Sequence, residues 1–146
     1  MAEAVALIDY GAGNLHSVEN ALRKVGAAVT VTADPDVLRA ADRIVLPGVG
    51  AFGACYNGLA GLPGVIDALE QRVLRDGVPF LGICVGMQLL ADRGLEHGET
   101  PGLGWIGGTV RALEPSEHVK VPHMGWNSIK LSKEDLIIKK NLDKKD

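Results

Sequence analysis

The sequence has few of the residues that disulfide frameworks and metal sites require. Its 146 residues include only two cysteines, Cys55 and Cys84, and four histidines. Two cysteines are too few for the framework of a disulfide-rich fold. The histidines at positions 16, 97, 118 and 123 form no HxxxH group, and no CxxC group is present. We therefore expect neither a metal site nor a bound cofactor.

Long apolar runs and a strong charge of one sign are also absent. No stretch approaches the roughly 20 apolar residues of a membrane span, and the first residues, MAEAVALIDYG, lack the basic segment and cleavage site of a signal peptide. A net charge of −3 gives no reason to expect a nucleic acid partner. With an ordinary hydrophobic fraction of 47%, the composition predicts one soluble cytoplasmic domain, with neither a membrane nor a nucleic acid as its partner.

Short apolar runs alternate with helical patterns in the first two thirds of the chain. Strands are predicted at residues 4–8, 29–32, 43–46 and 79–83, and helices at 14–24, from 35 onward after an Asp34 cap, and at 63–76. This alternation is typical of the α/β class, with a doubly wound, mainly parallel sheet and helices on both faces. Beyond Gly94, repeated glycines and apolar segments at 105–113 and 126–131 predict a small antiparallel appendage near the C-terminus.

The stretch VPFLGICVGMQLL carries the strongest chemical signal. It places Cys84 between Gly82 and Gly86, where the fourth predicted strand gives way to a helical pattern. A nucleophile on a sharp strand-to-helix turn needs small residues on both sides, and the helix amides that follow favour the thiolate. The amide of Val85 could then donate to an oxyanion. Cys55 has no such context, so we expect a small buried thiol there.

A second glycine-rich loop, Pro47-Gly48-Val49-Gly50, follows the third predicted strand. The carboxyl ends of parallel strands form the ligand-binding edge of such sheets, so this loop, Cys84 and residues 11–14 should share one edge. Backbone amides of Gly48, Val49 and Gly50 are therefore candidates for the rest of an oxyanion hole. The general base is not identified, because no histidine occupies a position in the sequence that faces the cysteine turn.

These motifs together resemble those of class I glutamine amidotransferases, which hydrolyse glutamine through a cysteine thioester. The segments IDYGAGNL, from Ile8, and KVPHMGWN, from Lys120, are similar to the glutaminase subunits of imidazole glycerol phosphate synthases in histidine biosynthesis. The resemblance covers about residues 4–131. It implies that Cys84 is the nucleophile, that Val85 and the Gly48–Gly50 segment donate to the oxyanion, and that Gln88 helps to hold the glutamine.

The same resemblance implies a partner, the cyclase subunit, which is a (β/α)₈ barrel that consumes the ammonia. The residues implied at the contact are Asn14, His123, Met124, Trp126 and Asn127. An aromatic side chain beside a methionine is typical of an interface anchor. Without the resemblance, a Trp126 that closes the core of the second sheet is an equal alternative.

The sequence departs from that family at its C-terminal side. It contains no His-Pro-Glu, the element that completes the family's catalytic triad, and no histidine follows His123. Residues 132–146 are expected to be a lysine-rich tail beside a domain at 1–131. We therefore expect a C-terminally incomplete chain with little activity of its own. The alternatives are a non-catalytic cyclase-binding subunit or fragment, and another α/β cysteine hydrolase that pairs Cys84 with His123 or His16.

Overall fold

The computed structural model describes residues 2–128 and residue 130. Two compact units divide the chain, Met1–Ala112 and Leu113–Asp146. The predicted tail at 132–146, and the boundary that separates it from the domain, lie outside the described residues. No helix in the described part of the chain is long and apolar enough to cross a membrane.

A four-stranded parallel sheet forms the centre of the first unit. Its strands lie in the order β2-β1-β3-β4, and every neighbouring pair is parallel. The strands are β1 (Ala4–Ile8), β2 (Ala28–Thr32), β3 (Arg43–Leu46) and β4 (Phe80–Gly82). This arrangement confirms the predicted α/β class and the four predicted strands, with bounds that differ by at most one residue at either end.

Helices cover both faces of this sheet, and this explains why the strands are apolar throughout. Val5 and Leu7 lie in a cluster that α1 (Leu15–Lys24) covers with Leu15, Val18 and Leu22. Ala6 and Ile8 alternate with them and belong to the larger core on the other face. The helices of that core are α2 (Pro35–Ala40), α3 (Phe52–Ala60) and α4 (Val65–Leu69).

Local sequence signals determine where the first two helices begin. The Asn14 side chain caps α1 by accepting a hydrogen bond from the Ser17 amide, and Asp34 caps α2 by accepting one from the Asp36 amide, with Pro35 as the first helical residue. The predicted helix at 63–76 is shorter at its start than expected, because Gly64 has a left-handed backbone. It continues past α4 as a π-helical segment, Glu70–Arg75.

The second sheet differs from the predicted appendage. It has three short strands, β5 (Arg93–Gly94), β6 (Thr100–Pro101) and β7 (Thr109–Val110), and it is mixed, since β5 pairs antiparallel with β6 and parallel with β7. The strand predicted at 105–113 is therefore wrong except at Thr109–Val110. Glycines turn the chain on either side of Trp105, whose ring packs edge-on against Phe80 at a centroid distance of 5.2 Å instead of pairing in a strand.

The described part of the second unit carries little regular structure. Its residues from Leu113 to Ser128 are exposed, and one isolated antiparallel bridge joins Ser116 to Val119. The strand predicted at 126–131 is not observed at residues 126–128 or 130, while Ile129 and Leu131 lie outside the described residues.

Candidate functional site

Cys84 occupies the turn between β4 and the short helix α5 (Val85–Gln88). It has φ 56° and ψ −120°, a backbone conformation that residues with a side chain rarely adopt. Its side chain is exposed, whereas Val85 and Gly86 immediately after it are buried. The turn therefore presents the thiol outward from a well-packed backbone, as the strand-to-helix geometry of a nucleophile requires.

The two flanking glycines are required by close contacts. A Cβ atom on Gly82 would lie 2.7 Å from the Met87 Cα atom, and one on Gly86 would overlap the Leu46 carbonyl oxygen. The Gly86 amide donates a hydrogen bond to the Ile83 carbonyl at 3.0 Å, which closes the turn. Any side chain at either position would push β4, α5 or the end of β3 apart and displace Cys84.

The loop Pro47–Gly50 packs directly on this turn. A Cβ atom on Gly48 would come within 2.9 Å of the Val85 carbonyl carbon, so the two backbones touch. A Cβ atom on Gly13, from the loop after β1, would likewise lie 3.0 Å from the Pro47 side chain. The three loops thus meet at one edge of the sheet, as expected from the parallel strand order.

Backbone donors are available in the turn and in the loop that packs on it. Among the described residues, the amides of Val49, Gly50 and Val85 donate no hydrogen bond to the protein. Val49 and Gly50 are exposed, while Gly48 is buried against α5. Sequence reasoning selected these four residues, and the structure places Gly48 in contact with Val85 and Gly86, the two residues that follow Cys84.

Tyr10 is a buried neighbour that the sequence did not single out. It follows β1, and its hydroxyl donates a hydrogen bond to the Pro47 carbonyl. Burial raises the pKa of Tyr10 above its ordinary value, and the nearby thiols of Cys55 and Cys84 raise it further. Cys55 is fully buried on α3, as expected for a small core thiol, and its Sγ atom donates to the Val49 carbonyl at 3.3 Å.

A cleft begins one helical turn beyond Cys84. It is lined by Gln88, Leu95, Glu96, Val110, Arg111 and Ala112. The backbone amide of Gln88 donates a hydrogen bond to the Cys84 carbonyl at 3.2 Å, so this residue links the cleft to the turn. The Glu96 carboxylate accepts a hydrogen bond from the Phe52 amide at 2.9 Å. Sequence reasoning found Gln88 but missed Glu96 and Arg111, which no motif connects to the cysteine.

No general base is identified by the described contacts. The His16 ring lies on α1 with its Nε2 atom 3.0 Å from the Asn20 side chain, and the His97 ring is exposed with its Nε2 atom 4.0 Å from Glu96. Within the described residues, no hydrogen bond joins a histidine to Cys84. The alternative pairing of Cys84 with His16 therefore has no contact to support it.

The residues expected at a partner interface fall in both units. Asn14 caps α1 beside the Gly13–Pro47 contact, and the side chains of His123, Met124, Trp126 and Asn127 are exposed in the second unit. Trp126 is fully exposed. This is not the burial that a tryptophan closing the core of the second sheet would show.

Comparison with known proteins identifies a matching family model and several similar proteins. The family model described as "Glutamine amidotransferase class-I" matches residues 6–144. The imidazole glycerol phosphate synthase subunit HisH of Zymomonas mobilis is 60% identical over 132 residues, which are 88% of this chain and 62% of that protein. The subunit HisH of Rhodospirillum rubrum is 56% identical and matches over 86% of this chain and 62% of that protein.

More distant matches agree with these. The subunit HisH of Rhodopseudomonas palustris is 46% identical over 144 residues, which are 94% of this chain and 67% of that protein. A solved structure described as "Crystal structure of glutamine amidotransferase" matches 73% of this chain and 55% of its own length with a TM-score of 0.60 and 20% identity, a similarity of fold. The chain thus spans about 62% of the length of its more similar curated relatives.

Proposed function

Because the chain belongs to the class I glutamine amidotransferase family, we propose that its site hydrolyses the side-chain amide of glutamine to glutamate and ammonia. The observation that carries this proposal is the contact between the Cys84 turn and the Gly48–Gly50 loop, which brings an exposed thiol and backbone amides without an acceptor among the described residues to the same edge of the sheet.

The proposed reaction has two steps. The Cys84 sulfur attacks the amide carbon of glutamine, a C–S bond forms, and the carbonyl oxygen becomes an oxyanion that the amides of Val85 and of the Gly48–Gly50 segment stabilise. The C–N bond then breaks, and the leaving nitrogen takes up the proton that the thiol gave up, so that ammonia departs and a thioester remains. Water attacks the thioester, which releases glutamate and restores the thiol.

The cleft beside Gln88 supplies the groups that would hold the rest of the substrate. Free glutamine carries an ammonium and a carboxylate at its α-carbon, and Glu96 and Arg111 line the cleft with charges of opposite sign. We assign the ammonium to Glu96 and the carboxylate to Arg111, with Gln88 between this cleft and Cys84. The hydrogen bond from the Phe52 amide holds the Glu96 carboxylate in place before the substrate arrives.

The ammonia acceptor is inferred from the relatives. Their name makes them subunits of imidazole glycerol phosphate synthase. We propose that ammonia made at Cys84 passes to the cyclase subunit of that enzyme, and that Asn14, His123, Met124, Trp126 and Asn127 lie at the contact. Met124 is 87% exposed and Trp126 is fully exposed, and two large apolar side chains this close in the chain support the assignment because exposed apolar patches mark binding surfaces.

A second candidate function is binding to the cyclase without turnover. It is favoured by one observation, namely that no histidine hydrogen-bonds to Cys84 within the described residues. General acid–base help is worth about 10²–10⁴-fold in rate, so a site without it would form the thioester slowly and release it more slowly still. The expected signature is a small burst of ammonia followed by little steady release.

The test uses a glutamine-like chloroketone and the complete 146-residue chain. The reagent should alkylate Cys84 and leave the buried Cys55 unmodified, as read by peptide mass, and excess glutamine should slow the labelling. Iodoacetamide on the urea-unfolded chain, which should modify both cysteines, is the control for intrinsic reactivity. Labelling of Cys55 first, or labelling that glutamine does not slow, would contradict the proposed function.

Ammonia release from glutamine, measured with and without the cyclase subunit, separates the two candidates. Steady release that the cyclase increases supports a working glutaminase. A burst without steady release, together with binding of the cyclase, supports the second candidate.

A further inference from the structure

Two buried donors hold alternate carbonyls of the Pro47–Gly50 loop. The Tyr10 hydroxyl donates to the Pro47 carbonyl, and the Cys55 thiol donates to the Val49 carbonyl at 3.3 Å. These donors come from different parts of the fold, one after β1 and the other in the middle of α3. Neither has a part in the proposed chemistry, yet both reach the same loop.

Held carbonyls fix the direction of the amides that share their peptide planes. In a trans peptide the N–H group points away from the C=O group, so the Pro47 and Val49 carbonyls, which face the buried donors, turn the Gly48 and Gly50 amides the other way. Gly50, on the exposed side of the loop, has a positive φ of 97°, which glycine adopts without strain. Between these two planes lies the Gly48–Val49 peptide, whose carbonyl accepts no hydrogen bond from a described residue.

The surroundings hold Tyr10 tightly. A Cβ atom on Gly48 would lie 2.9 Å from the Tyr10 hydroxyl, and one on Gly58, in α3, would lie 3.3 Å from the Tyr10 ring. The side chain is therefore confined between the loop and the helix that carries Cys55. Because burial and the neighbouring thiols raise the pKa of Tyr10, its hydroxyl remains protonated and able to donate throughout the neutral range.

From this arrangement we infer that Tyr10 and Cys55 are positioning residues, which orient the amides of the Pro47–Gly50 loop toward the oxyanion formed at Cys84. This inference rests on the proposed function, since it concerns the same oxyanion. It assigns to two buried side chains a role in transition-state stabilisation that their place in the core does not reveal.

The test measures the oxyanion without requiring turnover. An aldehyde analogue of glutamine, with the side-chain amide replaced by CHO, forms a thiohemiacetal with Cys84, in which the C–S bond forms and the thiol proton passes to the former aldehyde oxygen. That oxygen occupies the position of the oxyanion. L-Glutamate should bind the same cleft without forming a bond to Cys84. The ratio of the aldehyde affinity to the glutamate affinity therefore isolates the contribution of the loop amides.

The variants are Tyr10→Phe, Cys55→Ala and Cys55→Ser. We expect Tyr10→Phe and Cys55→Ala to weaken aldehyde binding about tenfold or more while glutamate binding and the iodoacetamide reactivity of Cys84 stay unchanged. Cys55→Ser keeps a donor and should restore part of the loss. Tyr56→Phe is the matched control, because Tyr56 packs against the same core and its hydroxyl makes no hydrogen bond with a described residue.

Each outcome has a definite meaning. Equal aldehyde affinity in the wild type and in a folded Tyr10→Phe or Cys55→Ala variant overturns the positioning role, as does an equal loss of aldehyde and glutamate binding. If Tyr10→Phe fails to fold, the comparison of Cys55→Ala with Cys55→Ser decides. A wild-type chain that binds neither ligand contradicts the proposed function itself, and a wild-type chain that binds glutamate but forms no thiohemiacetal contradicts the nucleophilic role of Cys84.

Discussion

Cys84 keeps a backbone conformation that, for a residue with a side chain, costs about 1–3 kcal/mol relative to an ordinary one. The surrounding backbone compensates for this, because Gly82 and Gly86 allow β4 and α5 to approach the end of β3 closely. This part of the site could be predicted from the sequence, since glycines two residues before and after a cysteine at a strand end are typical of a sharp strand-to-helix turn.

Replacing Gly86 with alanine tests whether this close approach holds the turn. The new Cβ atom would overlap the Leu46 carbonyl oxygen, so Gly86→Ala should lower the free energy of unfolding by about 1–3 kcal/mol in urea titrations. The displaced turn should also slow chloroketone labelling of Cys84. Gly107→Ala is the matched control, because the nearest atom to its added Cβ is 4.0 Å away. Equal stability of the two variants would show that the turn tolerates a side chain.

Tyr10 gives a pH dependence whose sign follows from its burial. Its pKa is raised in the folded chain, so the unfolded chain loses the proton first, at pH values just above about 10. The contribution of Tyr10 to stability is therefore complete below pH 10 and declines as the pH rises above it. The stability difference between wild type and Tyr10→Phe, measured by urea unfolding at pH 8 to 11, should be constant up to pH 10 and then shrink. A difference independent of pH would contradict the burial of this hydroxyl.

At the scale of the elements, local signals were sufficient where the sequence carries them. Continuous apolar runs predicted β1 and β3, which are buried on both faces of the sheet, and an aspartate followed by proline predicted the start of α2. The helix α3 lacks such signals, because it contains Gly53 and Gly58 and has no side-chain cap. It forms because Phe52, Cys55 and Leu59 lie on one face and are buried in the core, a tertiary effect that overrides weak helix propensity.

The second sheet could not be predicted from local sequence signals. Trp105 is an aromatic residue of the kind that strands favour, yet its ring packs against Phe80 on β4. The glycines at 104 and 108 turn the chain away from strand pairing. Glu96 and Arg111 could not be assigned to the cleft for a related reason. They come from separate loops around this sheet, and only the register of three two-residue strands brings them together.

The cap of α2 offers a test confined to one element. The Asp34 side chain accepts a hydrogen bond from the Asp36 amide at 2.8 Å, and its loss in Asp34→Ala should cost about 1 kcal/mol of stability. Asp34→Asn retains an acceptor and should cost only a few tenths of that. Because α2 contributes no residue to the cleft or the cysteine turn, Cys84 labelling should remain at the wild-type rate in both variants. A change in labelling would show that the two regions are coupled.

At the scale of the whole molecule, the chain combines a well-packed sheet unit with a second unit whose described residues are exposed. The first unit holds the residues proposed as nucleophile, as oxyanion donors and as the lining of the substrate cleft. The second unit holds most of the residues proposed to contact the cyclase. The sequence pointed to these proposed interface residues only through resemblance, since an aromatic beside a methionine is equally compatible with a core.

The two tryptophans, one in each unit, provide a matched pair for the partner surface. Trp126 is fully exposed, so Trp126→Ala should change the free energy of unfolding by no more than about 0.5 kcal/mol. As a central aromatic at an interface, it should contribute about 2 kcal/mol to binding of the cyclase subunit, and its loss should raise Kd about 30-fold. Trp105→Ala removes a ring packed against Phe80 and should show the reverse, a loss of about 2 kcal/mol or more in stability.

Thermal melts and titration of each folded variant with the cyclase subunit separate these effects, because stability and partner affinity are measured independently. Trp105→Ala should bind the cyclase with nearly wild-type affinity at temperatures where it remains folded. If Trp126→Ala melts several degrees lower and binds the cyclase unchanged, Trp126 supports the second unit instead of the interface. If neither quantity changes, the anchor must lie elsewhere, and Met124, whose side chain is also exposed, becomes the residue to replace.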